Sequence, residues 1–231
     1  MKLIAIETST ECCSVAVTDG SNIHHWAEVI PRGHGEFLLK KIDELLALAG
    51  WHKSELDGIV CGMGPGAFTG VRLGVAVAQA MALAVDQCVY PVSSLQALAM
   101  AGFEHYKQEV SAIRVTLDAR MGEVYWQAFS QKTQTPLMAP QISKPDEVQW
   151  PSSDTWVGLG HGWRTYPVIG GCHTTIPLEH VFLYPLAHYA LKWMMTHHPE
   201  GVAPEALTPM YLRNKVALTE AERKAASTGQ R

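Results

Sequence analysis

Residues 62–74, GMGPGAFTGVRLG, have the composition of a loop that binds an anion. Five glycines follow an apolar run, and a glycine-rich corner between a strand and a helix can direct free backbone N–H groups at a phosphate. The spacing fits neither the P-loop template, which needs Lys-Ser/Thr after the last glycine, nor the dinucleotide-binding fingerprint. Two interpretations remain, a generic anion site and a sharp corner at which two elements pack closely, and we favour the corner.

Two groups of polar residues are further candidates for chemistry. In the turn Glu7-Thr8-Ser9-Thr10, Glu7 could hold a cation or a water molecule, or the hydroxyls could bond only the local backbone. Asp118, Arg120 and Glu123 surround a second turn, where they form either an ion-pair corner or a carboxylate pair for acid–base catalysis. We favour the ion-pair corner because structural ion pairs are common.

The sequence contains no recognisable motif for metal-dependent catalysis or for a catalytic nucleophile. The eleven histidines include no two that are four residues apart, the spacing that places two imidazoles on one helical face. No G-x-S-x-G nucleophile motif occurs. The sequence therefore predicts no metal site and no catalytic residue.

The glycine-rich stretch leads into a predicted helix over residues 70–85 that is apolar all round, so we expect it to be buried on most sides. Small residues recur every four positions along it, and such a stripe allows another helix to approach closely. Its long polar residues, Arg72 and Gln79, either cap a neighbouring loop or contact a partner subunit. The stripe consists of Gly70, Gly74, Ala78 and Ala82.

A second amphipathic helix is predicted after Pro31 and ends at Gly50. Its charged side holds two lysines and two acids, and its apolar strip is wider than one contact requires. Two such helices could form a bundle with a like pair from another subunit. The apolar residues of the strip are Leu38, Leu39, Ile42, Leu45 and Leu46.

The remaining pattern predicts an α/β protein with a mixed sheet. Residues 1–103 have the element order βββαβαβα, in which Asp19-Gly20 marks a hairpin. A lobe boundary is expected at 104–109, followed by two strands within 112–130 and irregular chain over 131–155. After Gly201 come Pro204, Pro209 and MYLRN, and the Ala/Lys/Glu-rich end beyond them is expected to be mobile, with its basic residues solvated.

Bulk composition limits the class of protein. With 231 residues and 47% hydrophobic content, the chain is long enough for one large domain or two lobes. A net charge of −4 argues against a stand-alone nucleic-acid binder. The odd number of cysteines, five without a C-x-x-C pair, predicts reduced thiols in the cytoplasm, and no apolar run predicts a membrane span.

Four stretches, AIETST, GPGAFTGVRLG, DARMGEVYW and PMYLRN, together resemble the bacterial TsaB (YeaZ) family. That resemblance implies the two-lobe fold of the actin, sugar-kinase and Hsp70 superfamily (ASKHA). It places a first lobe at residues 1–103 and a smaller, degenerate lobe at 104–231. The turn Glu7–Thr10 then lies where superfamily members hold phosphate, as a vestige.

The resemblance also implies a function, that of a non-catalytic scaffold in forming the threonylcarbamoyl group (t6A) on adenosine 37 of tRNA. Family members pair with the catalytic paralogue TsaD through helices that match residues 35–49 and 70–85, the ATPase TsaE joins the pair, and tRNA is engaged indirectly. Alone they form homodimers. No cofactor of its own is implied, and ATP or ADP would bind only in the complex. The alternatives are a stand-alone ATP-binding enzyme of the sugar-kinase type and a peptidase-like relative.

Overall fold

The structure, a computed structural model, describes residues 1–107, 109–169 and 182–213. Its first sheet has the strand order β3-β2-β1-β4-β5, in which β1, β2 and β3 pair antiparallel and β4 and β5 join in parallel. The predicted Asp19-Gly20 hairpin connects β2 to β3, with Gly20 at φ 100°. The strands are β1 (Leu3–Glu7), β2 (Cys12–Thr18), β3 (Ile23–Val29), β4 (Gly58–Gly62) and β5 (Val89–Val92).

Three helices complete the predicted βββαβαβα order, which is confirmed. Gly50 ends the first helix in the left-handed region at φ 71°. Ser93 caps the third helix by accepting a hydrogen bond from the N–H of Leu95, and the Gln96 side chain accepts one from the N–H of Ser93. The helices are α1 (His34–Ala49), α2 (Phe68–Val85) and α3 (Ser94–Tyr106).

The second sheet repeats the pairing of the first in a smaller form. Its order is β8-β7-β6-β9, with β6, β7 and β8 antiparallel and β9 parallel to β6. Only a 3-10 turn at Pro145–Glu147 lies where the first lobe has α1. The prediction of two lobes with mixed sheets, the second degenerate, is confirmed. The elements are β6 (Ala112–Arg120), β7 (Glu123–Ser130), β8 (Gln141–Ser143), β9 (Trp156–Leu159) and a short α4 (Gly162–Thr165).

The division at residue 103 stays a prediction, and the two sheets lie on either side of it. The chain leaves α3 at Tyr106 and enters the second sheet. However, α5 (Ala187–His197) returns to pack on the first sheet and on α3. The buried residues Ala187 and Ala190 allow this close approach, and the Ala187 N–H donates to Ser14 Oγ at 2.9 Å.

The expectation that the helix over residues 70–85 would be buried on most sides is wrong, because α2 is buried on one side only. Only Val71, Gly74, Val75, Ala78 and Ala82 are buried, and they face the first sheet. The opposite side, which we name the outer face of α2, consists of Leu73, Ala76, Val77, Ala80, Leu83 and Ala84, all exposed or half-buried.

By length and composition α2 could also cross a membrane, contrary to the prediction that no run would do so. This is weak support for a membrane span, because a helix packed on a sheet of the same lobe can have the same composition.

The first part of the chain after Gly201 packs on the first lobe, and the end that the sequence predicts to be mobile lies outside the described residues. Val202 forms a β-bridge with Val89, and Leu207 is buried in the core of the first lobe. The Gln79 amide donates to the carbonyls of Pro204 and Leu207 at 2.9 and 3.1 Å. The basic residues of the tail beyond Arg213 lie outside the described residues.

Candidate functional site

The glycines at the start of α2 pack against the polar turn that follows β1. A Cβ on Gly66 would overlap the carbonyl of Ser9, and one on Gly70 would overlap the carbonyl of Thr8. A Cβ on Gly74 would lie 2.6 Å from Thr8 Oγ1. The Ala67 N–H donates to the Ser9 carbonyl at 2.6 Å, and Thr8 Oγ1 donates to the Gly70 carbonyl at 2.8 Å. The glycine stretch is therefore the close-packed corner, and its contacts are with the chain's own turn.

The predicted vestigial phosphate turn is enclosed rather than open. Glu7, Thr8 and Ser9 are fully buried, and Thr10 is nearly so. Glu7 Oε1 accepts from the Ser9 N–H at 2.6 Å, and Oε2 accepts from Ser94 Oγ at 2.7 Å. Burial raises the pKa of Glu7 above its ordinary value of 4.5, against the opposing effect of these hydrogen bonds. Among the side chains of this turn, the Ser9 hydroxyl makes no hydrogen bond of normal geometry.

We predict that Glu7→Gln stabilises the protein increasingly as the pH rises. A buried acid with a raised pKa binds more protons in the folded state than in the unfolded state. Its stabilisation is complete below pH 4.5 and is lost as the pH rises through the folded-state pKa. Glutamine mimics the neutral acid, so the free energy of unfolding of the variant should gain on the wild type by up to about 1.4 kcal/mol per pH unit over that window.

Urea unfolding of both proteins at several pH values between 5 and 8 measures this gain. Glu44→Gln, a change at an exposed acid whose pKa is lowered chiefly by its hydrogen bond with Lys41, is the matched control and should show no such gain. A constant deficit of Glu7→Gln at every pH would mean that the carboxylate is the stable folded form.

A cavity of about 370 Å³ lies between the two lobes. Its floor includes Ser9 and Thr10 from the polar turn and Leu117 from β6. Its mouth is formed by α2, by the turn between β6 and β7, and by the C-terminal segment. The residues at the mouth are Phe68, Arg72, Arg120, Met121, Tyr211 and Arg213.

The charge cluster at this cavity is an ion-pair corner, as favoured from sequence. Arg120 pairs with Asp118 at 3.0 Å and also with Glu11 of the first lobe. Asp118 accepts further hydrogen bonds from the Arg120 N–H at 2.8 Å and the Tyr166 hydroxyl at 3.2 Å. Both carboxylate oxygens of Asp118 are therefore engaged. Glu123 pairs with Arg213, a contact that the sequence pattern did not indicate.

His161 in the same cavity is held as a neutral ring. Its Nε2 accepts a hydrogen bond from the Asp118 N–H at 3.2 Å, which leaves Nδ1 to donate to the Leu183 carbonyl at 3.3 Å. Burial lowers the pKa of His161. The glycines around it, in GLGHGW, pack on Thr116 and Trp163, so this loop is filled by the chain itself.

The predicted interface residues divide into two sets. Seven of them are buried in the first lobe and have little or no surface of their own to offer a partner. The physical reason is that the sheet and the turn after β1 already cover that side of both helices. These seven are Leu38, Ile42, Leu45, Leu46, Gly74, Ala78 and Ala82.

The other four predicted residues lie nearer the surface. Leu39 is 57% exposed and Arg72 is exposed. Gly70 is half-buried against Thr8, and Gln79 is occupied by the C-terminal segment. The outer face of α2 was missed, although the all-round apolarity of the helix was the signal that could have indicated it.

The described cysteines and possible metal ligands do not form a further candidate site. Four described cysteines are free thiols: Cys12, Cys13, Cys61 and Cys88. Burial raises the pKa of Cys12 and Cys13 to about 12, so they are not nucleophilic. Within residues 1–107, 109–169 and 182–213, no group of three or more His, Cys, Asp or Glu is placed to hold a metal ion.

Comparison with known proteins finds similarity to proteins of threonylcarbamoyladenosine biosynthesis. A family model described as "TsaD: tRNA N6-adenosine threonylcarbamoyltransferase" matches residues 27–157. The "tRNA threonylcarbamoyladenosine biosynthesis protein TsaB" of Escherichia coli (strain K12) is 32% identical over 94% of this chain and 96% of that protein.

Two solved structures from Pseudomonas aeruginosa are 34% identical to this chain. One, YeaZ, has a TM-score of 0.83 over 91% of this chain and 99% of that chain. The other, described as similar to "peptidase YEAZ", has a TM-score of 0.82 over 92% of this chain and 99% of that chain. The fold is the two-lobe fold with mixed sheets that this chain shares with these two structures. The chain belongs to the TsaB (YeaZ) family, and its residues 27–157 match the wider TsaD family model.

Proposed function

We propose that this protein is a non-catalytic scaffold in threonylcarbamoyladenosine biosynthesis, acting in the cytoplasm by docking the outer face of α2 on the catalytic paralogue TsaD. The observation that carries this proposal is the exposure of that face. Leu83 is 64% exposed, and no charged residue interrupts the face from Leu73 to Ala84. A face of this kind on a helix fixed to a sheet is typical of a protein–protein contact.

The shape of the outer face favours a helical partner. Three of its six residues are alanines, and these small side chains allow a second helix to approach closely while Leu73, Val77 and Leu83 supply apolar area. Leu39 of α1 adds an exposed apolar residue to the same pair of helices. A paralogue of similar fold would present a corresponding pair, which suits a bundle of four helices. In the absence of the paralogue, the same face would support a homodimer.

The interior of the molecule favours the non-catalytic role. The acid–base candidates are engaged in the fold: Asp118 by Arg120 and Tyr166, His161 by two backbone groups, and Glu7 by Ser9 and Ser94. The packed glycine corner offers no open cradle of N–H groups for a phosphate. Under this proposal ATP or ADP binds only in the complex, TsaE joins the pair, and tRNA is engaged through the partners.

The interlobe cavity favours a second candidate, a stand-alone ATP-binding enzyme. Its mouth carries Arg72, Arg120 and Arg213, and the buried Ser9 hydroxyl on its floor makes no hydrogen bond of normal geometry. Steady hydrolysis of ATP by the purified protein alone would favour this candidate. A peptidase function with a thiol nucleophile is not favoured by the buried cysteines Cys12, Cys13 and Cys61, whose pKa values burial raises.

Reconstitution of the tRNA modification with and without this chain tests the proposed function. The purified catalytic paralogue, TsaE, threonylcarbamoyl-adenylate, ATP and unmodified tRNA are the other components. We expect modification to fall at least about 100-fold when this chain is omitted, and the chain to co-purify with the paralogue. Equal modification without it would overturn the proposal.

A further inference from the structure

The C-terminal segment 204–213 crosses from the first lobe to the second, and we call it the strap. Its start is fixed to α2 through the two hydrogen bonds of Gln79 and the burial of Leu207. Its middle is fixed to the glycine corner, where the Met210 N–H donates to the Met63 carbonyl at 2.7 Å. The first half of the strap is therefore attached to the first lobe.

The end of the strap is fixed to the second lobe. Arg213 pairs with Glu123 and donates to the carbonyls of Ala119 and Arg120 at 3.1 and 3.3 Å. These groups belong to the turn between β6 and β7, where Arg120 and Met121 adopt left-handed conformations at φ 63° and 55°. Because one guanidinium serves three acceptors of this turn, Arg213 holds the strap to the second lobe.

Between its two attachments the strap contacts the first turn of α2. The Tyr211 hydroxyl accepts a hydrogen bond from Arg72 Nε at 2.7 Å, and its ring stacks on Phe68 with centroids 5.9 Å apart. The Arg72 guanidinium also lies 3.7 Å from the centre of the Phe68 ring. Arg72 immediately precedes Leu73, where the outer face of α2 begins. Arg72 and Tyr211 thus join the first turn of α2, next to the start of the outer face, to the strap.

We infer that the strap locks the two lobes over the interlobe cavity and transmits partner docking on α2 to that lock. The strap forms one side of the cavity mouth, so separation of the lobes requires release of Arg213 or movement of α2. Phe68 and Tyr211 are each 50% exposed, and Arg72, which contacts both, immediately precedes Leu73 along α2. Docking and lobe closure are then linked, and each must influence the other. The transmission step rests on the proposed function, whereas the lock does not.

Hydrogen–deuterium exchange of the isolated full-length protein tests the lock through changes at a distance. Arg213→Ala should increase exchange at least about 10-fold in residues 68–72 of α2, which Arg213 does not hold directly. Arg72→Ala should produce a similar increase in the turn 119–123 of the second lobe. Glu123→Gln should shift exchange in the same direction by less than Arg213→Ala, because it removes one charge and leaves the carbonyl acceptors of Ala119 and Arg120 in place. Lys192→Ala, which removes the 2.6 Å ion pair with Glu104 far from the strap, is the matched control.

Affinity for the catalytic paralogue tests the transmission. Arg213→Ala should change the Kd at least about 5-fold, and Lys192→Ala should leave it unchanged. If exchange rises only beside each substituted residue, the strap is no lock and the inference is wrong. If the wild type binds the paralogue but Arg213→Ala binds with the same Kd, transmission is wrong. If the wild type does not bind at all, the proposed function fails, while the exchange measurement still decides the lock.

Discussion

Ala80→Glu is expected to weaken binding of the catalytic paralogue at least about 100-fold while leaving the isolated protein folded. Ala80 lies in the middle of the outer face of α2 and is exposed. A glutamate there is hydrated in the free protein but must lose water in an apolar helix–helix contact, where an unpaired carboxylate is costly. A loss of about 2.7 kcal/mol in binding corresponds to that 100-fold change.

The free protein should tolerate this substitution because glutamate is a good helix former and the site is in water. The free energy of unfolding should change by less than about 0.5 kcal/mol. Isothermal titration calorimetry gives the affinity, and urea unfolding gives the stability. Leu83→Ala should also weaken binding, by about 10-fold, through lost apolar contact.

Thr196→Glu, on the exposed side of α5, is the control for adding a charge to a surface helix. It should alter neither affinity nor stability appreciably. Wild-type affinity of Ala80→Glu would place the contact elsewhere. If Leu39→Glu then abolished binding, α1 rather than α2 would be the docking helix.

Gly70→Ala is expected to destabilise the fold by about 3 kcal/mol or more, even though glycine to alanine normally stabilises a helix. The added methyl group would overlap the backbone carbonyl of Thr8, which cannot move as a side-chain end could. That carbonyl belongs to the turn that carries Glu7, so the strain would spread into the core of the first lobe. Thermal unfolding should show a clearly lower Tm for the variant.

The matched control for this substitution is Gly35→Ala. Gly35 also lies in the first turn of a helix, but no atom lies within 4 Å of a Cβ added there. We expect a gain of up to about 1 kcal/mol, since alanine loses less backbone entropy on folding. Equal effects of the two substitutions would show that the turn after β1 yields easily and that the corner is not closely packed.

The packing of α2 on the first sheet makes Ala78→Arg unsuitable as a test of partner docking. Ala78 belongs to the small-residue stripe, and Ala78→Arg would be the natural test of a stripe that docks on a partner. The structure places Ala78 in the core against the first sheet, so an arginine there would unfold the lobe and report nothing about a partner. Ala80, two positions along, points to the other side of the helix and gives the informative variant.

Local features of the sequence determined the element order of the first lobe. Helix α1 ends at Gly50 as predicted. A helix end at a glycine in the left-handed conformation depends only on a few neighbouring residues, so the sequence is sufficient to predict it. The Asp19-Gly20 hairpin and the cap at Ser93 are local in the same sense. The family resemblance rests on similarly compact stretches, and it added the second lobe, which periodicity alone did not indicate.

Tertiary structure alone decided which surfaces are free. Four small residues spaced by four indicate a close neighbour along α2, and the neighbour of the two glycines among them is Thr8, 62 residues from Gly70 along the chain. The pairing of Arg213 with Glu123 spans 90 residues and fixes the end of a segment for which the sequence indicated no contact. Contacts over such separations depend on how the two sheets are placed, which no local pattern specifies. By itself, therefore, the sequence determined the fold class, the family and the two helices that matter, and only packing decided which side of each helix remains available to a partner.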